Sequence, residues 1–310
     1  MIRPRNYWRN LALFALLNLV IASVVVGLWL AYSRAQILVH PARYQAERTP
    51  IDLAITNWEE ITFVTSDGLW LRGWFTPPAP YNRAAVIFLH GLGTNREHLL
   101  GEAARLVAHG YGALLFDLRN HGASDGNITT LGYVEVEDVR GAVNFLLARS
   151  EVDPQRIALM GHSMGAGTAI RAAARIAHVR AVIAASAYTS IEDNIADGVE
   201  GLTGLPAFPF APLVIWFGEH ETGLDIRQVR PIDDAPLIAP RALLLIHGQD
   251  DALIPVRNAW QLYQAAREPK QLYIVPNAGH SGLLDASPRE WERQVLGFFA
   301  RCGLAVDGGP

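Results

Sequence analysis

Disulfides and a strong positive charge are both missing from this sequence. Its 310 residues include one cysteine, Cys302, so no internal disulfide can form and cysteine usage does not indicate the compartment. The net charge of -4 argues against a broad cationic surface for nucleic acid. The chain also has no internal repeat and no low-complexity tract. Since half of its residues are hydrophobic, the composition suits one large domain with an attachment rather than two equal domains.

Signatures of metal and cofactor binding are missing as well. No histidine pair has the His-x-His spacing of metal ligands. Gly91 and Gly93 resemble the start of a dinucleotide-binding loop, but the downstream glycine of that fingerprint is absent. We therefore expect the protein to work without a metal ion and without a cofactor.

A long uncharged run dominates the N-terminus. Residues 11–32 are apolar except for Asn18 and Ser23, and about 20 such residues span the core of a bilayer as a helix. A signal peptide cleaved after Ala31-Tyr32-Ser33 is the alternative, but the run exceeds the usual apolar region of signal peptides, which favours an uncleaved anchor. The flanking arginines lean towards a cytoplasmic N-terminus, with the rest of the chain on the non-cytoplasmic side. They are Arg3, Arg5 and Arg9 before the run and Arg34, Arg43 and Arg48 after it.

The rest of the chain alternates between strand and helix patterns. Residues 60–64 and 69–75 alternate with period two around Asp67-Gly68, which predicts an antiparallel hairpin at one edge of a sheet. Short apolar runs separated by helical segments predict a mostly parallel sheet with helices on both faces. Since ligands of such sheets bind outside the carboxyl ends of the strands, functional residues should follow these runs. The runs are residues 84–89, 112–116, 157–160, 181–185, 242–246 and 271–275.

A Gly-x-Ser-x-Gly sequence follows one of these strands. The order of strand, Gly161-His162-Ser163-Met164-Gly165 and helix is typical of a nucleophile elbow, a sharp turn that exposes a serine hydroxyl. Gly161 and Gly165 leave room where a Cβ would clash, and the following helix directs its free N–H groups at the serine. Ser163 is therefore the candidate nucleophile.

Candidate partners for Ser163 follow the last two strands. A serine needs a base, and the base needs a carboxylate that holds its tautomer. Asp250 and Asp251 come after the strand at 242–246, and His280 comes after the strand at 271–275. The order serine, acid, histidine is the one that accompanies a nucleophile elbow. Spacing alone leaves either aspartate open as the acid.

Together these motifs resemble the α/β-hydrolase superfamily over residues 53–302. They are most similar to its serine aminopeptidase-like and monoglyceride-lipase-like branches and to membrane-anchored relatives of these. The residues that carry the resemblance are His90-Gly91, Asp117-x-Arg119-x-His121-Gly122-x-Ser124, Gly161-x-Ser163-x-Gly165, His247-Gly248-x-x-Asp251-x-x-x-Pro255 and Gly279-His280.

The resemblance implies roles for several residues. The family pattern places the acid four residues after the histidine of His-Gly, which selects Asp251 over Asp250. It implies an oxyanion hole formed by the backbone N–H groups of Leu92 and Met164. The residues expected to support the site are His90, Gly91, Gly161 and Gly165.

The predicted organisation has four parts. They are a membrane anchor at residues 1–34, a juxtamembrane connector at 35–52, an α/β-hydrolase catalytic domain at 53–303 and a tail at 304–310. Within the domain, residues 188–240 are rich in proline, glycine and aromatics and predict a short cap. The aromatic residues of the cap either line an apolar pocket or pack among themselves.

These features predict a single-pass membrane serine hydrolase. It would cleave an ester, thioester or amide bond of a small-molecule acyl substrate, with lipid-like esters as one candidate class, and would not bind nucleic acid. Ser163 would form an acyl-enzyme, His280 would move the proton and Asp251 would orient His280. The alternatives are an acyltransferase on the same site and a catalytically silent hydrolase fold that binds a partner at the membrane.

Overall fold

The structure is a computed structural model that describes residues 6–204 and 206–305. Predictions that fall on residues 1–5, Leu205 and residues 306–310 lie outside the described residues. They concern the start of the anchor with Arg3 and Arg5, one position of the cap, and most of the tail.

Eight strands in the described residues form one sheet. They are β1 (Glu59–Val64), β2 (Trp70–Thr76), β3 (Ala85–Leu89), β4 (Gly112–Phe116), β5 (Ile157–His162), β6 (Val179–Ala185), β7 (Ala242–Gly248) and β8 (Lys270–Val275). Their order across the sheet is β1-β2-β4-β3-β5-β6-β7-β8. The β1–β2 and β2–β4 pairs are antiparallel, and the strands from β4 to β8 pair in parallel. The predicted edge hairpin and the mostly parallel sheet are confirmed.

Helices cover both faces of this sheet, as predicted. They are α1 (Asn6–Val39), α2 (Leu100–Ala108), α3 (Glu135–Leu147), α4 (Met164–Arg175), α5 (Ile191–Thr203), α6 (Ala207–Thr222), α7 (Pro231–Asp234), α8 (Arg257–Ala265), α9 (Leu283–Ala286) and α10 (Pro288–Arg301). Successive side chains of a strand point to opposite faces. Ile87 of β3 therefore joins the core formed with α3 and α4, whereas Phe88 joins the core formed with α2 and α10.

Helix α1 is longer than the apolar run that predicts it. At about 1.5 Å per residue its 34 residues extend about 50 Å, and it is long and apolar enough to cross a membrane. It continues to Val39, so the helix extends into the first residues of the predicted juxtamembrane connector. The physical reason is packing, because Ala35 and Val39 are buried against the domain. The helix ends just before His40, whose helical conformation is disfavoured by Pro41.

The segment predicted as a cap contains α5 and α6, between β6 and β7. Helix α6 packs along the C-terminal half of α1, with the ring of Tyr32 5.4 Å from that of Phe217. One turn further on, Gln36 donates a hydrogen bond to Glu221. The aromatic residues of the cap thus pack partly against α1, an arrangement that neither sequence-based alternative included.

Candidate active site

Ser163 occupies a strained turn between β5 and α4. Its φ of 55° and ψ of -118° lie outside the usual regions for a residue with a side chain. The two flanking glycines are required by close backbone approach. A Cβ on Gly161 would lie 2.1 Å from the carbonyl oxygen of Gly165, and a Cβ on Gly165 would lie 2.0 Å from that of Leu89. The turn therefore holds the serine at the carboxyl end of β5 through backbone geometry.

The structure brings Ser163, His280 and Asp251 into one hydrogen-bonded chain. Nε2 of His280 is 3.0 Å from Oγ of Ser163, and Nδ1 of His280 is 2.8 Å from Oδ2 of Asp251. These distances suit proton transfer from the hydroxyl to the imidazole. Asp250 is exposed and does not contact His280, so of the two candidate acids only Asp251 reaches the imidazole.

The environment of Asp251 favours its ionised form. Burial alone would raise the pKa of this carboxyl, but hydrogen bonds from His247 and His280 outweigh burial and hold the pKa well below its ordinary value. Oδ1 also accepts hydrogen bonds from the backbone N–H groups of Leu253 and Ile254, at 3.0 and 2.8 Å. A carboxylate fixed in this way holds the Nδ1–H tautomer of His280 and leaves Nε2 free to accept a proton.

The two backbone N–H groups predicted to form an oxyanion hole lie beside Ser163. Within the described part of the chain, neither Leu92 nor Met164 donates its N–H to a protein acceptor. Met164 is the first residue of α4, where N–H groups have no partner within the helix. Both residues line the same cavity as Ser163 and His280.

Two buried histidines shape the loop that carries Leu92. Nε2 of His90 accepts a hydrogen bond from the N–H of Leu118, so its Nδ1–H donates to the carbonyl oxygen of Gly91. Nε2 of His121 accepts from the N–H of Gly93 at 3.1 Å. Burial lowers the pKa of both imidazoles, and their mutual repulsion adds to this for His90. Both rings are therefore neutral, as their accepting nitrogens require.

Three further residues near the site were not assigned a catalytic or positioning role from the sequence. Nε2–H of His162 and Oγ–H of Ser186 both donate to the carbonyl oxygen of His280, at 2.7 and 3.0 Å. The His162 ring lies between those of His280 and His98, 5.0 and 4.8 Å away. Ser186 directly follows β6 and could have been identified by that position. No sequence signal marks His98, which follows the loop after β3.

The cavity at Ser163 has a volume of about 260 Å³ and is bordered on one side by helices distant in sequence from the motifs. Ile195 and Val199 of α5 line it, and so do Arg34 and Leu38 of α1. Within residues 6–204 and 206–305, no group of three or more His, Cys, Asp or Glu side chains is placed to hold a metal ion. The hydrogen-bonded chain from Asp251 through His280 has the geometry that activates a serine hydroxyl.

Known proteins resemble this chain in sequence and in fold. A family profile described as the alpha/beta hydrolase family matches residues 86–294. The uncharacterized protein YfhR of Escherichia coli is 31% identical over 228 residues, which cover 72% of this chain and 73% of YfhR. The polyketide transferase ATR5 of Stachybotrys chlorohalonatus is 26% identical over 284 residues, which cover 77% of this chain and 95% of that protein.

A solved structure with a similar fold is that of the Pyrococcus furiosus esterase Pf2001. It is 28% identical, with a TM-score of 0.71, and the match covers 85% of this chain and 98% of the esterase. The predicted α/β-hydrolase fold is thereby confirmed. The roles assigned to Ser163, Asp251, His280, Leu92 and Met164 stay predictions.

Proposed function

Because the chain belongs to the alpha/beta hydrolase family, we propose that it is a serine hydrolase that cleaves ester, thioester or amide bonds. The observation that carries the proposal is the hydrogen-bonded chain from Asp251 through His280 to Ser163, with distances of 2.8 and 3.0 Å. Its fold neighbour Pf2001 is named an esterase, which supports acyl chemistry at this site.

The reaction proceeds in two half-reactions. Oγ of Ser163 attacks the carbonyl carbon of the substrate while Nε2 of His280 takes the hydroxyl proton. The N–H groups of Leu92 and Met164 bind the developing oxyanion, and each such donor typically lowers the barrier by about 3 kcal/mol. When the intermediate collapses, His280 gives the proton to the leaving group and an acyl-enzyme remains. Water, deprotonated by His280, then releases the acid and restores Ser163.

We also propose that residues 1–34, which include most of α1, are retained as a single-pass anchor. Residues 35–52 then connect it to the catalytic domain at 53–303, which lies on the non-cytoplasmic side and carries its cap at 188–240. Two observations support retention. Helix α1 continues through Ala31-Tyr32-Ser33, and Ala31 and Ala35, which lie on either side of a cut after Ser33, are both buried. A cut after Ser33 would separate residues that pack together against the domain.

The direct test is covalent labelling of Ser163. A fluorophosphonate probe should label the full chain in detergent, and labelling should disappear in Ser163→Ala. The same substitution should reduce kcat on a short-chain p-nitrophenyl ester by about 10⁶-fold, because the nucleophile is lost. Ser281→Ala is a matched control, since Ser281 lines the same cavity without contacting His280 Nε2. Equal labelling of wild type and Ser163→Ala would refute the proposal.

A second candidate function is acyl transfer to an alcohol. Its support is the similarity to ATR5, which is named a polyketide transferase. Both activities share the acyl-enzyme and differ in the group that attacks it. Adding an alcohol acceptor to the assay and analysing the products distinguishes them, because a transferase yields the new ester in preference to the free acid.

A further inference from the structure

A second, apolar cavity lies between α1 and the cap. This groove has a volume of about 260 Å³ and is lined by Leu30 and Ile37 of α1 and by Phe210 and Val214 of α6, among others. Its lining surface is almost entirely carbon. An aliphatic chain is the ligand that such a surface favours, because burial of its methylenes stabilises binding and leaves no polar group unpaired.

The groove adjoins the cavity that holds Ser163. Arg34, Gly198 and Val199 line both spaces. A molecule with its carbonyl carbon at Ser163 would reach the groove by passing between these residues. We refer to the boundary that these three residues form between the two spaces as the neck.

No close contact among the described residues requires glycine at position 198. Gly198 lies inside α5, where glycine is less favourable than alanine. A Cβ built on Gly198 would have no atom within 4 Å, in contrast to Gly161 and Gly165, where it would collide with backbone. The missing side chain therefore leaves open space at the neck.

The groove lies at the level where α1 would leave a bilayer. A helix that enters the hydrocarbon core at Leu11 crosses about 30 Å in about 20 residues and leaves it near Ala31. Phe210 lies beside Gly27, at 3.4 Å from the position of a Cβ there, so α6 begins inside this boundary. Phe208 and Trp216 of α6 are 78% and 56% exposed, as suits aromatic rings at a membrane surface.

From these observations we infer that the substrate is a long-chain acyl ester taken from the bilayer. Its acyl chain lies in the groove between α1 and the cap, and its carbonyl carbon lies against Ser163. Helix α1 thereby forms one wall of the substrate site in addition to anchoring the chain, and Gly198 determines the acceptable chain length. This inference rests on the proposed hydrolase function.

The test compares a long and a short ester in variants of the neck. The full chain is reconstituted in phosphatidylcholine vesicles, and kcat/KM is measured for p-nitrophenyl decanoate and p-nitrophenyl butyrate. In the wild type, each added methylene should increase kcat/KM about four-fold over the length that the groove accepts. Gly198→Leu should lower the decanoate-to-butyrate ratio at least about ten-fold, and Gly198→Ala should lower it less. Glu192→Leu, at an exposed position of α5, should leave the ratio unchanged.

The outcomes separate the inference from the proposed function. A wild-type decanoate-to-butyrate ratio retained in Gly198→Leu would overturn the inference, provided that fluorophosphonate labels the variant and so reports a folded site. If Gly198→Leu does not label, the ratio in Gly198→Ala decides in the same way. Wild-type protein that hydrolyses neither ester and does not label would refute the hydrolase function, and the inference would fall with it.

Discussion

The cavity around Ser163 has two walls of different construction. On the sheet side, His280 and Asp251 are held by directional hydrogen bonds at the carboxyl ends of strands. On the helix side, Leu38 of α1 and Ile195 and Val199 of α5 are held by apolar packing. Directional contacts fix individual atoms, whereas packing fixes volume. Substitutions on the sheet wall should therefore change the chemistry, and those on the helix wall should change stability and substrate fit.

The sharpest test of the sheet wall is Asp251→Asn. An amide in this position can donate to Nδ1 of His280 and stabilise the tautomer in which Nε2 carries the proton and cannot accept one. We expect kcat on a short-chain ester to fall about 10⁴-fold with little change in KM. Asp250→Asn is the matched control, since Asp250 is exposed next to it and should lose little activity. Comparable losses in the two variants would show that Asp251 has no special role.

The sheet wall could be predicted from the sequence because its determinants are local. Strands buried on both faces appear as short apolar runs, and the strained turn at Ser163 requires Gly161 and Gly165 on either side. The acid of the site could not be predicted from local sequence alone. Spacing allows either Asp250 or Asp251, and only the resemblance to the family selects Asp251. In the structure, burial and contact with His280 distinguish the two aspartates.

The helix wall could not be predicted in this way. An apolar run indicates that a helix can enter a membrane. It does not indicate which side of the last turns of that helix packs against a cap. Ala31 and Ala35 lie on the packed side of α1, and only tertiary structure shows it. From the sequence alone, Gly198 is only a residue that lowers the stability of a helix. Its position beside the two cavities is known only from the structure. Residues that pack together but are distant in sequence produce no local sequence pattern. The contact between α1 and α6 therefore cannot be predicted from the sequence.

A substitution on α1 tests whether the helix wall is held by packing. Ala35 is 1% exposed, so Ala35→Phe should overpack the contact with the domain and lower the free energy of unfolding by up to about 3 kcal/mol. Leu19→Phe is the control, because Leu19 is 64% exposed on the same helix. Thermal unfolding of the full chain in detergent measures both. Equal unfolding temperatures would mean that α1 is a tether and not a wall.

The smallest expected effect is a pH dependence of the stability. It comes from a buried neutral histidine on the sheet side of the cavity. Burial is the main cause that lowers the pKa of His98 to about 4, and the neighbouring His280 adds to it. The unfolded chain binds a proton at this position below about pH 6.5, but the folded chain does so only below about pH 4. Stability is therefore lost as the pH falls through this interval, by about 1 kcal/mol between pH 6.5 and 5.5.

Replacing His98 should remove this pH dependence. Because glutamine does not titrate, the stability of His98→Gln relative to wild type should improve by about 1 kcal/mol as the pH falls from 6.5 to 5.5, whatever constant offset the lost contacts introduce. Denaturant unfolding at the two pH values measures the difference, and groups common to both proteins cancel from it. His178→Gln, at an exposed position before β6, controls for the loss of a histidine as such. A difference between wild type and His98→Gln that stays constant with pH would mean that His98 is protonated equally in the folded and unfolded chains, and that the sheet wall does not exclude water as its burial indicates.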